Sequence, residues 1–224
     1  GDWSSDVCSS DLMHQYENFH IVDHPLIQHK LSLIREKTTG HKIFRELVNE
    51  VATLVAFELT RDFPTNSTQI KTPMTSTTGQ TIVGQNVVLV PILRAGLGMV
   101  EGLIQLIPNA RVGYVGMERN EKTHEPVDYY FKIPKEPEHK NFILIDPMLA
   151  TGGTAIATAN SLKKRGATQI KFMCLIAAPE GMSAFCEAHP DIEVYTAALD
   201  EKLNENKYII PGLGDAGDRL FGTL

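Results

Sequence analysis

The chain has little of what marks several protein classes. Its three cysteines, Cys8, Cys174 and Cys186, show neither metal-ligand spacing nor a paired framework. That argues against a disulfide scaffold, and reduced thiols in a cytoplasmic setting are the expectation. No apolar run approaches the length needed to span a bilayer, so no membrane partner is expected. Positive charge is short too. The formal net charge is −6, which argues against a general nucleic-acid surface but leaves a local basic pocket open. His24, His29 and His41 have no acidic or cysteine partners at ligand spacing and read as solvated helix histidines.

Residues 1–12, GDWSSDVCSSDL, are Ser/Asp-rich, lack apolar periodicity and precede Met13. They have no basic n-region and no apolar h-region, so they do not read as a signal peptide. They read as an extraneous or disordered leader, with no role for Trp3 or Cys8. Residues 13–224 read as one domain, long enough for a full α/β core.

What is present is organised around Asn141 to Arg165. Phe142 to Ile145 is an apolar run of strand length, ended by Asp146. Thr151-Gly152-Gly153-Thr154 makes a tight polar turn, and a helical pattern runs from Ala155 to Leu162, with Gly166 as the stop. Strand, loop and helix in this order present backbone N–H groups and a helix N-terminus together, which is a site for an anion such as phosphate. Gly152 and Gly153 let backbone approach phosphate oxygens closely, and Thr151 or Thr154 can cap the helix. Asp146 would lie beside the same pocket, able to accept from sugar hydroxyls. The loop carries neither Gly-Lys-Ser/Thr nor G-x-G-x-x-G, so it is neither a nucleotide P-loop nor the dinucleotide fingerprint. The alternative is an ordinary strand-to-helix turn with a capping threonine.

Upstream, His24-Pro25 opens a helix with Leu26, Ile27, Leu31 and Ile34 on one face, ending near Gly40. A second helix carries Ile43, Phe44, Leu47, Val51, Leu54, Val55 and Leu59, and Pro64 ends it. Ile70 to Val83 reads as a hairpin turning at Thr78-Gly79, a plain β-arm. Val87 to Ile92 is a continuous apolar strand of the buried parallel kind. It turns through Leu93-Arg94-Ala95-Gly96 into a helix, Leu97 to Ile107, and Arg94 offers a planar fork suited to phosphate. The alternative is a surface arginine paired with Glu101 or Glu118.

Arg111 to Met117 is a further strand. Glu118 to Pro126 is a charged loop expected to be mobile and to cover a site, and Val127 to Ile133 returns from it. Gln169 to Ala177 and Ile192 to Ala198 are strands flanking a helix that starts at Pro179. This βαβ alternation calls for a parallel sheet. Near the end, Tyr208 to Arg219 packs three glycines and two aspartates, which suggests backbone pressed against a ligand or a tight reversal.

Strand, Asp146, then Ala150-Thr151-Gly152-Gly153-Thr154 resembles the ribose-phosphate loop of the type I phosphoribosyltransferases. Pro147, where most of that family has a second acid, is similar to the uracil phosphoribosyltransferase form. Pro91-Ile92-Leu93-Arg94-Ala95-Gly96 resembles those enzymes' pyrophosphate loop, often with a cis bond before the arginine. Arg119 resembles their second pyrophosphate arginine, and Tyr208 to Arg219 their base-recognition loop. The resemblance implies a doubly wound, mainly parallel α/β core with a small hood and a β-arm. It implies transfer of a ribosyl phosphate from 5-phosphoribosyl 1-diphosphate to N1 of uracil, giving UMP and diphosphate.

By the same resemblance, the donor is held by Arg94, Arg119, Asp146, Pro147, Met148, Leu149, Ala150, Thr151, Gly152, Gly153, Thr154 and Asp215. Backbone groups of Ile209, Gly214 and Ala216 read the uracil edge, with Asp215 beside it. Arg94, Arg119 and Asp215 take the catalytic roles, and Mg²⁺ arrives on the diphosphate substrate rather than in a protein-held site. A homodimer or higher homo-oligomer and a GTP effector complete the expectation. Two alternatives remain: an RNA-binding regulator of pyrimidine operons, which asks for a basic face, and the same fold with another base specificity.

Overall fold

The structure is a computed structural model and describes residues 15–82, 86–119 and 126–223. The leader at 1–12, the charged-loop residues 120–125 and Leu224 lie outside the described residues. Along the chain come β1 (Phe19–Ile21), α1 (Pro25–Arg35), α2 (His41–Leu59), β2 (Thr65–Lys71), β3 (Ser76–Ile82), β4 (Val87–Pro91) and α3 (Leu97–Leu106). Then follow β5 (Arg111–Val112), β6 (Tyr114–Arg119), β7 (Pro126–Lys132), β8 (Asn141–Ile145), β9 (Met148–Leu149), α4 (Gly153–Lys164) and β10 (Gln169–Ala177). The last elements are α5 (Pro179–Ala188), β11 (Glu193–Leu199), β12 (Lys202–Leu203), β13 (Ile209–Ile210) and α6 (Ala216–Phe221).

The central sheet runs β1-β11-β10-β8-β4-β5, with β9 added to β10, and every pairing is parallel. Its strands alternate between two cores. Val87, Leu89, Ile143, Ile145, Met173 and Leu175 face α1, α2, α3 and α6. Val88, Val90, Phe142, Leu144, Phe172 and Cys174 face α4 and α5. Burial on both faces is why these strands read as unbroken apolar runs. The sheet is thus doubly wound.

Its order contains a switch. From β4 the chain passes through α3 to β5 on one side. From β8 it passes through α4 to β10 and through α5 to β11 on the other. A crevice forms beyond the carboxyl ends of two such diverging strands, and ligands of open α/β sheets bind there.

Several expectations need correction. The hairpin turns at Thr72–Thr75, not at Thr78-Gly79. Thr72 Oγ1 accepts from the N–H groups of Met74 (3.2 Å) and Thr75 (3.0 Å), a local turn that begins before Pro73. Gly79 is mid-strand opposite Thr68, where its bare α-carbon leaves room for Ile70. The first helix ends at Arg35, more than a turn before Gly40, and Leu26 is exposed. Ile43 is exposed as well, and α2 stops at Leu59 with Thr60 as its cap rather than being cut by Pro64. The strand expected over Arg111–Met117 is split: β5 joins the main sheet, while β6 leaves it to pair with β7 as a separate hairpin. Residues Met148-Leu149, expected in a loop, form β9 on the end of β10.

Candidate active site

Two loops leave the diverging strands together. After β4 the chain runs through a cis Leu93–Arg94 peptide into Ala95 and Gly96. After β8 it runs through Asp146 and Pro147. Gly96 fits where nothing larger would, because a Cβ there would lie 2.5 Å from the Ile145 carbonyl oxygen and 2.8 Å from Ile92 N. The third contributor comes from far along the chain. A cavity of about 270 Å³ is lined by Ala95, Asp146, Met148 and Ala150 on one side and by Lys207, Tyr208, Ile209, Gly214, Asp215, Ala216 and Gly217 on the other. Seven residues singled out in the sequence, Asp146, Met148, Ala150, Ile209, Gly214, Asp215 and Ala216, therefore line one cavity.

Asp146 is the chemically distinctive group. Burial pushes its pKa up to about 7, and a hydrogen bond from the Met148 N–H to its Oδ1 (3.3 Å) pulls the other way. A desolvated carboxyl of this kind gains from any ligand that donates hydrogen bonds to it. Asp215 is committed differently. Its Oδ1 accepts from the Asp218 N–H (2.9 Å) and caps α6.

The turn at Thr151–Thr154 continues from Ala150 beyond the cavity lining. Gly152 has φ +80° and is the N-cap of α4, and no side chain caps that helix. Neither Thr151 nor Thr154 fills the expected capping role, so the first-turn amides of α4 have no side-chain acceptor. Thr151, Gly153 and Thr154 are exposed, as an anion site requires. Pro147 and Leu149 are buried. The Pro147 carbonyl accepts from the N–H groups of Leu175 (3.0 Å) and Ile176 (3.2 Å), which pins the loop to the sheet.

Arg94 is exposed next to Ala95, its guanidinium carbon 5.9 Å from the Phe221 ring centroid. Arg119 ends β6; its side chain lies outside the described residues. Gly212 to Gly217 happens to spell G-x-G-x-x-G, but it follows a two-residue strand and opens a six-residue helix rather than a βαβ unit. Among the described residues no group of three or more His, Cys, Asp or Glu side chains could hold a metal. No helix among them is long and apolar enough to cross a membrane.

Of the lining residues, Lys207 lies outside the stretches singled out in the sequence, while Ala95, Tyr208 and Gly217 lie within them but were given no role of their own. Asn204 Oδ1 accepts from the Asn206 and Tyr208 N–H groups, both at 2.9 Å, and this turn puts Lys207 at φ +64°. An Asn four residues before a Tyr carries such a signal, but only weakly.

A family model described as uracil phosphoribosyltransferase matches residues 21–223. A uracil phosphoribosyltransferase of Lactiplantibacillus plantarum is 60% identical over 205 residues, covering 92% of this chain and 98% of the relative. One from Listeria innocua is 60% identical over 206 residues, covering 92% and 99%. Among solved structures, the AQ2163 protein from Aquifex aeolicus superposes with a TM-score of 0.85 at 37% identity, over 91% of this chain and 97% of that one.

Proposed function

This chain belongs to the uracil phosphoribosyltransferase family, and on that premise we propose which of its residues carry the reaction. The enzyme forms UMP and diphosphate from uracil and 5-phosphoribosyl 1-diphosphate. The bond from the ribose C1 to the diphosphate oxygen breaks, the bond from C1 to uracil N1 forms, and N1 gives up its proton. Positive charge builds on the ribose ring while negative charge builds on the leaving group. A site for this reaction must hold both partners in line and stabilise the departing charge.

Thr151 to Thr154, at the N-terminus of α4 that no side chain caps, hold the 5′-phosphate in this reading. Asp146 accepts from the ribose hydroxyls, which offsets its desolvation. Arg94 and Arg119 take the diphosphate. Pro147 and Leu149 serve by fixing the loop, their carbonyls held by the N–H groups of Leu175, Ile176 and Ala178. Across the cavity, backbone groups of Ile209, Gly214 and Ala216 read the acceptor–donor–acceptor edge of uracil, with Asp215 beside it. A cytosine amino group would meet a backbone donor there and leave it unpaired, which costs affinity in a closed site.

Mg²⁺ is proposed to enter on the donor. Such an ion is normally held by one or two carboxylates together with substrate phosphates, and Asp146 and Asp215 are the two carboxylates lining the cavity. When bound, it supplies charge neutralisation to the diphosphate.

The observation that carries this reading is the single cavity joining the Asp146 loop to the Ile209–Gly217 loop. A substrate panel of uracil, orotate, hypoxanthine and adenine with the same donor tests it. Turnover with uracil alone is expected, and preferred use of another base would overturn the specificity. We further propose that residues 13–224 act as one catalytic domain in the cytoplasm, a setting that suits the free, buried Cys174 and Cys186. Leu26, Leu33, Ile43 and Phe57 stay exposed on α1 and α2, and a second copy of the chain is the proposed cover. Light scattering tests this, and activity with and without GTP tests the effector.

A further inference from the structure

The uracil-reading loop is gripped from its far side. Asp200 follows β11 directly, with its side chain 4% exposed. Its Oδ1 accepts from Arg35 Nη2 (2.6 Å), and its Oδ2 accepts from Arg35 Nη1 (2.8 Å) and from the Gly212 N–H (2.8 Å). The same Arg35 Nη1 donates to the Gly212 carbonyl (2.7 Å). Both main-chain polar groups of Gly212 are thus held by one ion pair. Gly212 has φ +63°, and a Cβ there would lie 2.1 Å from the Ile209 carbonyl oxygen, so this grip also fixes where Ile209 sits.

The next residue is held by a second guanidinium. Arg219 Nη1 donates to the carbonyls of Leu213 (2.8 Å) and Ile34 (2.7 Å), and Nη2 donates to that of Glu36 (2.7 Å). Arg219 also satisfies carbonyls at the end of α1, so its loss would disturb that helix. The Asp200–Arg35 pair joins the end of α1 to the residue after β11 without capping either element. Among the described residues, the side-chain bonds it makes beyond itself go to Gly212, two residues before Gly214 enters the cavity wall.

We infer that Asp200 and Arg35 are positioning residues for base recognition: they set the main chain of Ile209 and Gly214 against uracil and leave the Asp146–Thr154 donor loop alone. The inference rests on the uracil reading above. The physical reason is leverage. A buried carboxylate is costly to keep unless fully paired, and here the pairing is delivered to backbone adjoining the cavity. An error of a fraction of an ångström in those amides is felt directly in the fit of a flat base that they alone read.

The test uses Arg35→Lys and Asp200→Asn in the full chain. Arg35→Lys keeps a charge beside Asp200 but loses the fork, so it remains measurable if Asp200→Asn fails to fold. The expected result for Arg35→Lys is a KM for uracil raised about 10- to 100-fold, a KM for the donor that moves far less and reduced discrimination against cytosine. A fall in thermal midpoint with both KM values unchanged, or both KM values rising together, would overturn the inference. Wild-type turnover of uracil is measured first. Its absence would remove the reading beneath, whereas its presence with an unmoved uracil KM in the variant removes the positioning role alone.

Discussion

Ile92 donates its backbone N–H to the carbonyl of Ile145 at 2.9 Å. That bond joins the ends of β4 and β8, the two strands from which the chain departs in opposite directions across the sheet. Arg94 and Asp146 follow directly. The residues proposed for diphosphate and for ribose therefore start from one bonded point of backbone, and their spacing is set by sheet geometry rather than by loop flexibility.

The joint can be tested at Gly96. A Cβ there would meet the Ile145 carbonyl oxygen at 2.5 Å and the Ile92 carbonyl oxygen at 2.8 Å, both backbone atoms that cannot step aside. Gly96→Ala is expected to cost about 1–3 kcal/mol of stability, read from the urea midpoint, and to lower kcat/KM for the donor. Wild-type values of both would show the joint to be slack.

Asp146 is expected to make the enzyme pH-sensitive. Because burial raises its pKa to about 7 from 3.8, the folded chain retains a proton there that the unfolded chain has released. Stability from this group therefore falls as pH rises from about 4 to about 7 and levels off above that. Asp146→Asn is expected to melt higher than wild type at about pH 8, with the gap closing toward about pH 4. In activity, wild-type kcat/KM for the donor should rise through about pH 7 as the carboxylate ionises, and the variant should lack that limb. A rising limb that survives in Asp146→Asn belongs to another group.

Arg94 should matter for turnover and little for folding. It is exposed, and Phe221 is its ring neighbour at 5.9 Å. Losing one fixed donor to a developing anion costs roughly 3 kcal/mol, or about 100-fold in kcat. Arg94→Ala should show that loss, with a stability change within about 0.5 kcal/mol. Arg94→Lys should recover only part of the rate, since an ammonium lacks the fork. A fully active Arg94→Ala enzyme would take the residue out of the site.

The β6–β7 hairpin is tied to the core by an arginine on an aromatic ring. The Arg165 guanidinium, just past α4, lies 3.7 Å from the Phe131 ring centroid on β7. Such a pair is worth about 0.5–2 kcal/mol. Since β6 ends at Arg119, Phe131→Leu is expected to raise KM for the donor while leaving KM for uracil unchanged. Steady-state kinetics in both substrates decide it.

Much of the fold was legible because its strands are short and buried on both sides. Val87–Pro91, Phe142–Ile145 and Gln169–Ala177 read directly as apolar runs. The errors came where a local signal had a stronger local rival. Thr78-Gly79 looked like a turn, but Thr72 and Pro73 had already made one. Thr151 and Thr154 looked like caps, yet the left-handed Gly152 ends the loop without them. Three of the stretches singled out in the sequence, around Ala95, Asp146 and Tyr208–Gly217, line the candidate cavity. The two side chains gripping its far wall were not legible, since Arg35 and Asp200 are 165 residues apart and neither belongs to a glycine-rich loop.

By itself the sequence determined which segments could be strand, helix or tight loop, because φ/ψ preference and the two- or three-to-four-residue spacing of apolar side chains act over a few residues. Only the tertiary structure decided that β8 lies between β4 and β10, that Ile209–Gly217 folds over Asp146, and that one ion pair holds Gly212. Those relations come from burying two faces of one sheet at once, a long-range condition that no short window of sequence contains.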